Sequence, residues 1–442
     1  MAFRPFQDTA GLLKTVPFPE MVLLRQRFPR PRVEDIPAAV ASALDASDIP
    51  TKIQRGTRIA IAVGSRGVAE IATIVRALVG ALRRYGAEPF IIPAMGSHGG
   101  ATPEGQRAVL ASLGVTETAM GAPVISSLEV DVLGELPAGM PVHIDRAAHA
   151  ADGIIVVNRL KPHTDFSAPV ESGISKMIAI GLGKHAGAIT VHSWGVEGLA
   201  HYVPEVAKFA VAHAAILGGL AVIENAFDEV AEITMLAPEE IGGEREQQLT
   251  DKAKAMMARL PWDDLDVLVV DKLGKNISGA GMDTNIIGRM RCSKEQKPTA
   301  ARITNIVVLD VTEESHGNAI GLGLADFIPA RLLDHLNSQA VYINCLTSGV
   351  IAMEAGKIPI TLETDREAIA AAIRSAGLPD FTRVQVARIE STLRLEYVLA
   401  SRNSLDHLRP GSSVEVLGQP QLFTFLPDGS LPPFSAVKMQ FA

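Results

Sequence analysis

Three short segments carry residue types from which a proton-transfer site could be assembled. Arg66 lies in Gly64-Ser65-Arg66-Gly67, just after the apolar run Ile59–Val63. His98 lies in Met95-Gly96-Ser97-His98-Gly99-Gly100, just after Phe90–Pro93. His163 lies in Asn158-Arg159-Leu160-Lys161-Pro162-His163-Thr164-Asp165, just after Ile154–Val157. A planar guanidinium can grip a carboxylate with two parallel hydrogen bonds. Two imidazoles on opposite sides of one carbon are what a racemase needs, because each enantiomer must meet its own base. Each residue also has a plainer explanation. A lone loop arginine is commonly just solvated, His98 between glycines fits a surface histidine about equally well, and His163 beside Pro162 fits a turn histidine oriented by Thr164 and Asp165. In Gly96–Gly105, inward-turned amides ahead of a helix start suit phosphate or carboxylate. A tight turn needing positive φ is the commoner reason for such glycines.

A second group follows in Glu171-Ser172-Gly173-Ile174-Ser175-Lys176-Met177 and Gly181-Leu182-Gly183-Lys184-His185. Lys176 stands among apolar and small residues, where burial would depress its pKa and favour a nucleophilic amine. A lysine snorkelling from a helix explains the same pattern. His192 comes 16 residues after Lys176. With no His-x-x-x-His or cysteine pair beside it, a conventional zinc site is unsupported, and a single axial metal ligand would escape motif rules.

Positioning these residues requires strands that end on one edge. Continuous apolar runs such as Ile59–Val63 are expected of strands buried on both faces of a parallel sheet. Val68, Ile71, Ile74, Leu78 and Leu82 recur at helical spacing and stop at Tyr85-Gly86, while Thr102-Pro103-Glu104 opens another helix. Strands are expected near 90–93, 152–157 and 220–224, and a charged helical connector over 229–260. A second cycle should follow, with strands at 264–270, 303–309, 340–344 and 384–389 and helices at 325–336 and 365–375. The expected fold is α/β, two Rossmann-like domains over 1–260 and 261–442 with the active site in the cleft between them. In such sheets ligands bind at the carboxyl ends of the strands.

Composition narrows the function classes. The 442 residues carry 41 Lys and Arg against 49 Asp and Glu, a net charge of −8 without a basic block, so no nucleic-acid partner is expected. Two cysteines, Cys292 and Cys345, are too few for a disulfide framework. With no signal-peptide pattern at the N-terminus and no membrane-length apolar run, a cytoplasmic location is expected. Homo-oligomerisation is left open.

The order of these motifs resembles the nickel-dependent lactate racemase family, most strongly over Gly64–Trp194 and Gly274–Arg289. That resemblance implies a nickel pincer nucleotide tethered to a lysine, with Lys176 in Ser172-Gly173-Ile174-Ser175-Lys176 as the attachment site and His192 as the nickel ligand. It implies His98 and His163 as the alternating acid and base. Arg66 would hold the substrate carboxylate, and Ser65, Gly96, Ser97, Gly99 and Lys184 would contact the cofactor. Gly281-Met282-Asp283-Thr284-Asn285 and Arg289 resemble a substrate-covering loop, with Asn285 and Arg289 as substrate contacts. Where the family has Asp-x-Thr-Arg-Pro, this chain has Val63-Gly64-Ser65-Arg66-Gly67, marking a divergent branch. The implied activity is a 2-hydroxy-acid racemase or epimerase whose partners include cofactor-building enzymes. The rival classes are a cofactor-free small-anion binding protein on the same fold and a nicotinamide oxidoreductase. The latter is weakened by the lack of a strand-loop-helix Gly-x-Gly-x-x-Gly with a downstream acid.

Overall fold

The computed structural model describes residues 5–65, 67–164, 166–290, 300–348 and 353–441. They form two α/β units, residues 29–257 in one and residues up to 28 together with 258–442 in the other. The expected boundary at 260 lies near this division, but the opening residues depart from the expected 1–260. Strand β1 (Glu20–Gln26) is the reason, because its ladder partners all lie beyond residue 396.

The first unit is built on β2 (Arg58–Val63), β3 (Glu88–Pro93), a hairpin of β4 (Val130–Glu135) and β5 (Pro141–Asp145), then β6 (Gly153–Arg159), β7 (Ile216–Glu224) and β8 (Val230–Leu236). Its main sheet runs β3-β2-β6-β7-β8, parallel except for β8. Ile59 to Val63 are all fully buried, as a central parallel strand covered on both faces requires. Helix Ile71–Arg84 lays Ile71, Ile74, Val75, Leu78 and Leu82 onto this sheet, in one core with Ile61, Ile91, Ile155 and Leu220. It stops at Gly86, whose φ of +93° suits glycine. Chain connections leave β2 towards β3 and β6 towards β7, in opposite directions. The neighbouring pair β2 and β6 is therefore the topological switch point, the place where open α/β sheets commonly bind ligands.

The second unit carries β9 (Asp264–Leu273), β10 (Arg302–Val311), β11 (Phe327–Pro329), β12 (Ile360–Leu362), β13 (Val386–Ile389), β14 (Tyr397–Ser401) and β15 (Val414–Leu422). Its sheet runs β12-β11-β10-β9-β13-β14-β1-β15, parallel from β12 to β13 and antiparallel beyond.

Three local expectations are corrected. Residues 340–344 lie in helix Ser338–Ser348, opened by the Asn337 side chain accepting from the Ala340 amide at 3.1 Å; a short apolar run does not separate strand from helix. Residues 325–336 form β11 and a 3₁₀ segment, because Pro329 cannot donate to an α-helical ladder. The 229–260 stretch is β8 followed by helix Glu244–Met256, not one helical connector.

Candidate functional site in the first unit

The loop after β6 is closed at its base by paired backbone bonds, Lys161 N–H to Ser172 O at 2.9 Å and Ser172 N–H to Lys161 O at 3.2 Å. Closing the loop folds His163 back onto Lys176, and His163 Nε2 lies 2.5 Å from Lys176 Nζ. The imidazole stacks on Phe166 with ring centres 4.4 Å apart. Glu171, whose side chain is fully buried, accepts the His163 backbone N–H at 2.6 Å and pairs with the Lys254 ammonium at 2.9 Å. Of the expected orienting neighbours of His163, Asp165 lies outside the described residues, and the carboxylate that fixes this backbone is Glu171.

Lys176 closes a short helix, Ile174–Lys176, that continues as a π-helical segment, Met177–Leu182. Such segments occur frequently at functional sites. Buried Glu246 caps this start: Ser175 donates its amide at 3.0 Å and its hydroxyl at 2.5 Å to the carboxylate, and the Gly242 amide adds 2.8 Å. Gly173 is required there, since a Cβ would come 2.4 Å from Leu160 and 2.6 Å from Glu246. One turn later the chain enters helix Lys184–Ser193, which bears His192. His192 is solvent-accessible, with protein crowded around its imidazole. Burial first, and then the charge of Lys176, hold its pKa below the ordinary histidine value. It is therefore neutral at pH 7, with a lone pair to offer a metal ion.

The glycine loop after β3 packs on the same segment. Gly96 has φ +58°, and a Cβ there would meet Ile180 at 3.1 Å. The His98 imidazole lies against the Ser65 hydroxyl in a short hydrogen bond at Nδ1. Gln106, fully buried, donates to the Gly96 carbonyl at 2.8 Å and to the His98 carbonyl at 3.3 Å. The β2 loop joins the π-helical segment too, since a Cβ on Gly64 would come 3.1 Å from Met177. The loops of β2, β3 and β6 thus meet one helical segment, with Ser65, His98, His163, Lys176 and His192 around it.

Residues 20–198 match the lactate racemase N-terminal domain. The span holds every one of the five residues just named. No curated protein matches the sequence. Among solved structures, the lactate racemase apoprotein from Thermoanaerobacterium thermosaccharolyticum is similar over 80% of this chain and 81% of its own, at 13% identity and a TM-score of 0.45. A protein from Thermotoga maritima is similar over 78% of this chain and 84% of its own, at 12% identity and a TM-score of 0.47.

Within residues 20–198, Lys184 is turned into the protein interior. Its ammonium is fully buried, 2.9 Å from Asp145 and 2.5 Å from the Pro93 carbonyl, with Gln106 Oε1 at 3.5 Å. It ties β3, β5 and Gln106 together from within. Burial lowers its pKa and Asp145 opposes that shift. Ser65 is engaged with His98, and Gly99 (φ +66°) packs so tightly that a Cβ would come 2.5 Å from the Gln106 amide. Ser97 contributes its carbonyl to the Ala101 amide within the turn. Arg66 lies outside the described residues.

Asn285 and Arg289 belong to the second unit. Asn285 donates its amide and its side chain to Asp283 at 2.9 and 2.8 Å. The Arg289 guanidinium binds Asp326 at 2.5 Å, and the carbonyls of Leu324, Ile303 and Thr304 at 3.0, 3.0 and 2.5 Å. Its planar fork braces the start of β10. Sequence reasoning missed Gln106, Asp145, Glu171 and Glu246. Each is a polar residue in an otherwise ordinary helix, strand end or loop, and only its burial marks it.

Proposed function

We propose that this protein is a racemase or epimerase of a 2-hydroxy acid, using a nickel pincer nucleotide attached at Lys176. The observation that carries this reading is the contact of an amine, Lys176, with His163, close enough to His192 for its charge to act there. Among the described residues no group of three or more His, Cys, Asp or Glu is arranged to hold a metal ion. A metal held through His192 would therefore draw its other donors from a non-protein group, and an adjacent lysine amine is the handle such a group needs. The donor set fits. When bound, the group would supply a reversible two-electron acceptor at the substrate's C2 centre.

The protein's own part is orientation and proton transfer. His98 and His163 exchange the hydroxyl proton, and both are held by neighbours that fix the backbone at the ring, Gln106 for one and Glu171 for the other. Arg66 pairs with the substrate carboxylate in this reading.

Intact mass and metal analysis of protein made alongside cofactor-building enzymes tests attachment, with a mass increment on Lys176 and one nickel expected. An unmodified lysine with no nickel would sink the proposal and favour a small-anion binding protein. In the loaded protein, a C2-deuterated hydroxy acid should keep its label through inversion; washout into solvent would point to carbanion chemistry instead.

A further inference from the structure

We propose that Ser65 is a positioning residue that holds His98 as its Nδ1–H tautomer and so makes Nε2 the proton-exchanging atom. The inference rests on the acid/base role of His98 given above. The observation behind it is the short contact between Ser65 Oγ and His98 Nδ1, made across 33 residues of sequence by loops from two neighbouring parallel strands.

A histidine that alternates between acid and base must keep one nitrogen constant while the other gains and loses a proton. If Nδ1 carries hydrogen throughout, a partner there must accept in both states. A serine hydroxyl accepts from Nδ1–H in the neutral ring and in the imidazolium alike. A carboxylate would accept as well, but its charge would hold the ring protonated and resist the return of the proton. A neutral acceptor fixes orientation with less bias between the two states, which suits a residue that serves both directions of an inversion.

The surroundings limit the ring further. Gln106 grips the carbonyls of Gly96 and His98, and Gly99 packs at the Gln106 amide, so the backbone bearing the ring is pinned from below. Pinning the backbone leaves ring rotation and tautomer as the remaining freedoms, and Ser65 acts on both. This adds a function to the least family-like of the three loops, because Ser65 adjoins Arg66 there.

Long-range ¹H–¹⁵N spectra of histidine-labelled, unloaded protein test the assignment, with His98 identified by its loss in His98→Gln. The wild type should show a pyrrole-type Nδ1 and a pyridine-type Nε2 for His98. Ser65→Ala should move the ring towards the Nε2–H form, which free imidazole side chains favour, and Ser65→Thr should restore the wild-type pattern. The other histidine resonances serve as the folding control. A wild-type His98 in the Nε2–H form, or an unchanged tautomer in Ser65→Ala, would overturn the proposal. Because the spectra need no cofactor, they judge Ser65 separately from the racemase reading. In loaded protein, Ser65→Ala should lower kcat roughly tenfold with KM little changed, since a misplaced tautomer affects proton transfer and not binding. A rise in KM with kcat unchanged would instead assign Ser65 to ligand binding.

Discussion

Replacing Lys184 with Met separates a structural lysine from a ligand-binding one. Both Lys184 and Asp145 have fully buried side chains, with Nζ and Oδ2 2.9 Å apart. Methionine fills most of the same volume but leaves the Asp145 carboxylate buried without its counter-charge. Removing one partner of a buried pair costs about 3–5 kcal/mol, through the uncompensated charge more than through the lost attraction. With a guanidinium m-value of about 4 kcal/mol/M, that loss moves the unfolding midpoint of the first unit down by about 1 M. The double variant Lys184→Met with Asp145→Asn should recover most of it. Its amide oxygen can still cap the Ala148 N–H, now accepted at 2.9 Å, and no charge remains to bury. Equilibrium denaturation of unloaded protein, followed by circular dichroism, measures both. If Lys184→Met were as stable as wild type yet bound inorganic phosphate more weakly, the structural role would be refuted and the cofactor contact supported.

The depressed pKa of His192 gives a pH dependence of definite sign. Between its lowered folded value and the ordinary value of about 6.5, the unfolded chain binds more protons, so stability falls as pH drops through that window. Midpoints measured against pH should flatten there in His192→Gln, and NMR titration of Lys176→Met should show the His192 pKa rising as the neighbouring charge is removed. A His192 that titrates at or above the ordinary value in wild type contradicts this account. Glu246→Ala should cost about 1–3 kcal/mol for each buried donor it strands, among them the Ser175 amide and hydroxyl and the Gly242 amide. Hydrogen exchange over residues 173–182 should then accelerate; unchanged exchange would show that the cap does not hold the Lys176 segment.

Much of the first unit was legible because its strands bury both faces and its helices carry their own punctuation. Ile59–Val63, the helix ending at Gly86 and the Thr102 cap all declare themselves through local chemistry that needs no distant partner. Where a segment's state depends on what lies beside it, local patterns fail. The 340–344 run became helical, and β1 joined a sheet whose other strands all begin after residue 263.

The candidate site divides along the same line. Sequence determined which reactive side chains exist and that His98, His163 and the Ser65 loop each follow a strand, because strand ends and glycine turns are local features. Only the tertiary structure decided what those side chains touch. It set His163 against Lys176 and Ser65 against His98, buried Lys184 on Asp145, and locked Arg289 into four acceptors of its own unit. The physical reason is that a lysine or arginine has the same local sequence signature whether its charge meets a ligand or a buried carboxylate. The choice between the two is made by burial, and burial is a property of the whole fold.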